Sequence, residues 1–453
     1  MRRRRTRRWG GCDMPISRAD KRDFLPQTQN RLERTFRMEW QGKLYPQHMV
    51  WVPPTYITDI SATVGGFYVG KYQASQPNAS SFDDNPDVGD SAAVGTTPAA
   101  TQFGVPAWRY ITLLEARKAA ANVGQYIIGT EADKKGWGLS TAADWAALAF
   151  IAKGGTMPGG NNANTNPPSD AVTATQKALL DHACNTRNSG WHACLTGTGP
   201  TAWSHDGTVN GVWDLNGNIW EWNDGLLMQI TTGYPYILAN LDNTIARAPV
   251  GKSTAVAAGT LTDTDKAWVA DAFLDAGGTI YLYDSAGTLH QLATSTPANN
   301  DTTLYLAATG TTPASGPYTI VKLIATDITA GMSSGNKILT LRDADADLKH
   351  LAIPATSDGT GAAAYGNDGF WFNTGALRAA IRGGDWGSGA SAGVFALNLN
   401  NAPSHSNPNI GFRLRNAATS DHVSLWTRMP YCCLGATILP GDQEMNNVAQ
   451  ENT

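Results

Sequence analysis

The stretch GVWDLNGNIWEWNDG, residues 211–225, decides how this chain folds, because it sets three tryptophans around a Leu-Asn-Gly-Asn turn. Asn216-Gly217 is a dipeptide that readily supplies the two left-handed residues of a type I′ turn. Trp213, Trp220 and Trp222 each carry enough apolar surface to staple loop-rich structure into a core, so the segment reads as scaffold. Outward from it, between about Leu44 and Leu241, the chain is rich in Trp, Gly and short β-prone runs such as MVWVPPTYI and GGFYVGKYQAS. Two helical stretches interrupt these runs. In WRYITLLEARKAAANVG, Ile111, Leu114, Ala119 and Val123 fall near helical spacing and Gly124 offers a C-terminal cap. In STAADWAALAFIAKGG, Ser140 or Thr141 is the N-cap, Asp144 faces the helix dipole and Gly154-Gly155 ends the helix. Two helices among many short strands predict an α+β unit. SSFDDNPDVGDSAAVGTTPAATQFG and MPGGNNANTNPPSDAV, dense in Asn, Pro, Gly and Asp, predict long irregular loops.

From residue 246 to residue 354 the texture turns to Thr, Ala, Asp and Gly with period-2 strands. GTIYLYDSAGTLHQLAT sets Ile280, Leu282 and Asp284 against Tyr281 and Tyr283 ahead of a turn at residues 285–287, a β-hairpin pattern. DTTLYLAAT and GPYTIVKLIA continue it, which predicts a separate all-β module. The Trp-rich texture returns at GNDGFWFNTGALRAAIRGGDWGSG, so the module is expected to interrupt a larger domain, as insertion at an exposed loop allows. The expected organisation is a basic N-terminal tail at residues 1–43, a first part of the main domain at 44–245, the inserted β-rich domain at 246–354, a second part at 355–416 and a C-terminal tail at 417–453.

The 453 residues include 42% hydrophobic and only 16% charged side chains, with 47 Gly and 15 Trp. This composition excludes a disordered chain or a coiled coil. No apolar run approaches the ~18 residues of a membrane-spanning helix, and the basic start lacks the apolar segment of a Sec signal peptide. The net charge of −4 is uneven: residues 1–43 carry +8, which leaves −12 on the rest. An acidic body does not attract nucleic acid, so phosphate affinity would be confined to MRRRRTRR, itself read as a solubilising or docking segment. The five cysteines, Cys12, Cys184, Cys194, Cys432 and Cys433, give no disulfide framework.

His182, Cys184, His192 and Cys194 repeat at a spacing of ten and could in principle hold zinc, but without the C-x-x-C form of zinc modules they read as loop thiols and imidazoles. Cys432-Cys433 reads as a pair of reduced tail thiols. G-x-S-x-G, the P-loop pattern and H-E-x-x-H are all absent from the sequence. No catalytic residue is assigned, because no pair of carboxylates can be matched across the fold from sequence.

Segment by segment and in order, these pieces resemble the formylglycine-generating-enzyme branch of the C-type lectin fold. MVWVPPTYI and GGFYVGKYQAS look like its opening strands. In GWGLSTAADWAALA, Leu139, Thr141, Ala143 and Trp145 match the family's R-L-P-T-E-A-E-W helix, with Ser140 in place of the proline. GVWDLNGNIWEW is similar to G-N-V-W-E-W, and IRGGDW, residues 381–386, to R-G-G-S-W. The fold class implied is α+β, a C-type lectin fold with two helices, short strands and long loops, interrupted by the inserted all-β module. Enzymes of that branch use cysteines shortly after R-G-G-S-W, whereas here no Cys lies between Cys194 and Cys432. The sulfoxide-synthase relatives add a His-rich iron-binding domain that nothing here matches. Trp222-Asn223-Asp224 also spells the tripeptide of the calcium strand in many C-type lectins, so calcium stays open as a minor reading; no other cofactor is implied.

RGGDWGSGASAGVFALNLNNAPSHSNPNIGFRLRN, residues 382–416, resembles the variable region of diversity-generating-retroelement target proteins. In that family a reverse transcriptase randomises template adenines, and the Asn codon is favoured because changing its first two bases never yields a stop. The resemblance implies ligand-binding positions at Asp385, Gly387, Ser388, Ala390, Ser391, Asn398, Asn400, Asn401, Ser404, His405, Asn407 and Asn409. It casts Trp386, Val394, Phe395, Leu397, Leu399, Ile410 and Phe412 as core partners. The implied protein is no enzyme: it displays a diversified surface to a protein or glycan ligand from a phage virion or a prokaryotic cell surface. Its alternatives are an oxidative enzyme of the formylglycine-generating type and a structural virion or surface component. Oligomeric state is left open.

Overall fold

The computed structural model describes residues 33–80, 94–182, 184, 190–231, 234–239, 250–265, 279–293, 302–324, 327–345 and 348–417. The MRRRRTRR segment, Cys12, Cys432, Cys433 and the C-terminal tail from residue 418 lie outside them. The described chain is mostly β-strand with few helices: α1 Leu113–Asn122, the single turn α2 Glu131–Lys134 and α3 Ala142–Lys153. Each helix begins with a capping box, in which a threonine side chain and an acidic side chain three residues on satisfy each other's backbone N–H. The pairs are Thr112 with Glu115, Thr130 with Asp133, and Thr141 with Asp144. Gly154 caps α3, and ten of its twelve residues are buried, so it runs through the core rather than over it.

The strands are β1 Glu33–Trp40, β2 Lys43–Val52, β3 Phe67–Gly70, β4 Ile127–Ile128, β5 Trp137–Leu139, β6 Trp220–Thr231, β7 Tyr234–Ala239, β8 Val250–Lys252 and β9 Ile280–Tyr283. They continue as β10 Leu289–Gln291, β11 Pro317–Ile324, β12 Asn336–Leu341, β13 Pro354–Asp358, β14 Gly369–Phe372, β15 Arg378–Gly383, β16 Gly393–Asn401, β17 Ile410–Phe412 and β18 Leu414–Ala417. Six form one sheet in the order β4-β1-β2-β3-β18-β5, in which the last described strand, β18, pairs with β3 near the start of the chain. Ten run in a second sheet as β10-β9-β11-β7-β6-β15-β16-β14-β12-β13, with β8 on β11 and β17 parallel to β6. The main core packs α3 between strands from both sheets: Phe150 meets Phe395 edge-on at 6.0 Å, and the Trp145 indole donates to the Val394 carbonyl at 2.7 Å.

Three expectations are corrected. The basic tail was placed at residues 1–43, yet residues 33–40 are strand β1, whose Phe36 and Met38 alternate into the core beneath the charged side chains. Asn216-Gly217 is not a hairpin turn: the consecutive left-handed residues are Gly217 (φ 76°) and Asn218 (φ 63°). Asn218 is held there because its amide donates to Gln73 at 2.7 Å and accepts from the Cys194 N–H at 2.8 Å. Residues 246–354, read as one separate module, divide between two cores. Leu261, Leu282, Leu304, Tyr318 and Ile320 form a cluster of their own, whereas Ile338, Leu341, Leu351 and Ile353 join the main core around α3. β11 spans the divide by pairing with β7 at one end and with β8 and β9 at the other. The hairpin at residues 280–291 forms as β9 and β10, with Tyr281 opposite Gln291. It docks on α1 through the buried Arg117, whose guanidinium donates to the Asp284 and Tyr283 carbonyls at 2.9 and 3.1 Å and pairs ionically with the Asp224 carboxylate at 3.1 Å.

Candidate ligand-binding surface

Strands β15, β16 and β17 and the two loops between them carry the twelve positions singled out in sequence. Two arginines bracket this stretch, and both are completely buried. Arg413 forks onto Glu221 at 2.6 and 2.9 Å and also bonds the Gly70 and Trp213 carbonyls, joining both sheets. Arg382 donates only to carbonyls, those of Leu351, Ala352 and Phe395, and burial without a carboxylate pushes its pKa down to about 9. On the other side of the Phe395 backbone the buried Asp368 accepts its N–H at 2.8 Å, and burial holds the carboxyl well above the usual range. These groups fix the start of β16.

The glycines of the window divide the same way. Gly383, Gly384 and Gly393 have φ of 94°, 85° and 157°, and a Cβ on Gly384 would strike Ala392 while one on Gly393 would strike Asp368. Gly387 has neither restriction: its φ is ordinary and a Cβ there would meet only the Asp385 carboxylate at 3.7 Å. The backbone thus requires glycine at the frame positions and accepts any residue at 387.

None of the twelve singled-out positions is buried: Gly387, Ala390, Ser404 and Asn407 are exposed, and Asp385, Ser388, Ser391, Asn398, Asn400, Asn401, His405 and Asn409 are half-buried. The interleaved Trp386, Val394, Phe395, Leu397, Leu399, Ile410 and Phe412 are all buried. On β16 the alternation holds from Leu397 to Asn400, with Leu397 and Leu399 toward α3 and Asn398 and Asn400 toward the opposite face, and it ends at the half-buried Asn401. Register places Phe412, Trp222, Ile381, Asn398 and Trp371 in one row across five strands, so Asn398 is the polar member of an otherwise apolar row.

The two loops meet where the Asn409 amide donates to Asp385 at 2.5 Å. Asp385 also accepts from the Ser388 hydroxyl at 2.6 Å and the Gly387 N–H at 3.0 Å. Residues distant in sequence hold the loop backbones: Asn162 and Asn218 carbonyls accept from Gly389 and Trp386, and the Asn407 and Pro403 carbonyls accept from Tyr110 and Leu113. Sequence reasoning missed these supports, because each joins positions more than 160 residues apart and leaves no local pattern.

The other candidate ligand groups are not assembled. Cys194 lies in a cluster with Tyr72, Trp203 and Trp213, while Cys184 lies in another with Ile219 and Trp386, and burial pushes both thiols up. His182 is exposed, and the His192 ring meets the Asn164 amide at 3.1 Å. Among the described residues no group of three or more His, Cys, Asp or Glu could hold a metal ion. In the Trp222-Asn223-Asp224 tripeptide, the Asp224 carboxylate faces Arg117 and the Asn223 amide donates to the Trp222 carbonyl. No described helix is long and apolar enough to cross a membrane.

No protein-family model matches the chain, and no curated protein matches it. Among solved structures the chain is similar to Treponema denticola variable protein 1, at 12% identity over 85% of this chain and 99% of that one, with a TM-score of 0.30.

Proposed function

We propose that the chain is a non-enzymatic ligand-binding display protein whose surface between residues 385 and 409 is diversified by a retroelement to bind varied protein or glycan targets. One observation carries the reading: the twelve small or polar positions that the resemblance singles out all lie off the core, while the seven apolar residues interleaved with them are all buried. Exposed positions contribute little stability, so side chains can change there while the frame persists. The present set of Asn, Ser, Asp, Gly and His gives adaptable hydrogen bonding without the contact area of Tyr or Trp, which suits a polar, wet interface of modest affinity. The acidic body argues against nucleic acid as the ligand. The test is to sequence the DNA around the gene. The proposal expects a second, imperfect copy of the coding stretch for residues 385–409 near a reverse-transcriptase gene, differing almost only where that copy has adenines. The absence of such a copy would return the stretch to an ordinary polar loop.

A further inference from the structure

Away from residues 385–409, one face of strands β4, β1 and β2 stands exposed. Along β1, Thr35, Arg37 and Glu39 are exposed while Phe36 and Met38 between them are buried. The same face carries the exposed Leu44 and Pro46 on β2 and the exposed Ile128 on the edge strand β4. Register sets these side chains in two adjacent rows, Ile128-Arg37-Pro46 and Glu39-Leu44. The solvated face of an antiparallel sheet is ordinarily polar. This one holds two of the seven large apolar side chains that stand exposed in the described chain, Leu44 at 62% and Ile128 at 51%. Apolar groups gathered with a proline on one face mark an interaction surface, whereas the same groups scattered singly do not.

The charges of this face narrow the partner. At its far end Glu33 is already taken up by His48 at 3.3 Å and by Lys71 at 2.6 Å. Arg37 and Glu39 enter no ion pair among the described residues, and they follow each other on one strand about 7 Å apart. One cation beside one anion favours neither a basic nor an acidic partner; it matches a surface that presents the same two charges in reverse order. A second copy of this chain does so under a two-fold axis, which sets residue i on residue j and j on i. With the axis running across the strands level with Met38, Arg37 meets Glu39 of the second copy and Leu44 meets its Pro46, each contact made twice. An axis along the strands would set Arg37 on Arg37 and Glu39 on Glu39, so the charges select the first arrangement.

We infer that this face is a two-fold interface between two copies of the chain, held by reciprocal Arg37-Glu39 pairs with Leu44 on Pro46 beside them and Ile128 at the rim. Two sheets stacked face to face stand about 10 Å apart, a gap that an arginine and a glutamate reaching toward each other can span. A contact built from so few side chains is reversible and in the micromolar range. The inference does not rest on the diversified surface, because none of the twelve positions lies on this face, and a dimer joined here leaves those positions of both copies outside the contact.

The test is sedentation equilibrium of the full chain over a concentration series up to about 100 μM, where a micromolar contact is filled. Wild type is expected to approach twice the mass of one chain. Arg37→Glu and Glu39→Arg each set like charges together at both contacts, and each should weaken association by about thirtyfold or more. The double variant Arg37→Glu with Glu39→Arg restores opposite charges and should associate as wild type does. An equimolar mixture of the two single variants should also form dimers, because every Glu of one then meets an Arg of the other. Both positions are exposed, so circular dichroism should be unchanged throughout. A monomeric wild type, association indifferent to both single variants, or a double variant and a mixture that both stay monomeric would each overturn the interface.

Discussion

Phe395 and Asn398 lie three residues apart on one strand, yet one is sealed against α3 and the other is half-open on the opposite face. The same contrast separates the whole frame from the whole surface. Frame residues are fixed by partners distant in sequence, as Arg413 is by Glu221 and Gly70, and by backbone conformations that only glycine adopts comfortably. Surface residues touch mainly their neighbours in the two loops, as Asp385 touches Ser388 and Asn409. Sidedness along a pleated strand therefore keeps the buried frame and the half-open polar positions apart with no need for separate domains.

The contrast predicts a graded series of effects. Glu221→Ala strands a fully buried guanidinium and should cost about 3–5 kcal/mol in denaturant unfolding; a cost below that of a surface change would break the distinction. Phe395→Ala removes a ring packed on Phe150 and Tyr365, with an expected cost of about 3–4 kcal/mol. A smaller effect sits on Asp214, whose carboxyl burial pushes up to about 6 from an ordinary value of 3.8. A raised folded-state pKa favours the protonated form, so this group's contribution is intact below about pH 4 and is lost as pH rises toward about 6. Asp214→Asn should remove that decline, so that wild type loses about 2 kcal/mol relative to the variant between about pH 4 and pH 7. Parallel pH dependence in the two proteins would show the carboxyl to be ordinary.

At the bottom of the series, Asp385→Ala should cost about 1 kcal/mol, because it removes the hydrogen bonds that join the loops. Ser404→Ala and Asn407→Ala should stay within about 0.5 kcal/mol of wild type by thermal unfolding. If these two matched Phe395→Ala, the positions would be structural and the division between frame and surface would fail.

What was legible in the sequence was what local chemistry determines. Thr141 with Asp144, and the Gly154 stop, mark α3 because capping involves residues a few positions apart. The buried and open positions of residues 385–412 could be read from polar and apolar alternation. β1 was hidden because ERTFRMEW sits in a strongly charged stretch, although Phe36 and Met38 keep the period of two. The Gly217-Asn218 conformation was invisible because Asn218 is held by Gln73, 145 positions away. The division of residues 246–354 followed from strand pairing between β11 and β7, which no local pattern announces.

The most direct test is to change all twelve surface positions at once, placing Ser wherever the residue is not Ser and Tyr wherever it is, and to follow urea unfolding of the full chain. The account predicts one cooperative transition, with stability lowered by no more than about 3 kcal/mol, since these side chains hold little of the frame. Loss of the cooperative transition would contradict it, because the frame would then depend on the residues it is supposed to display.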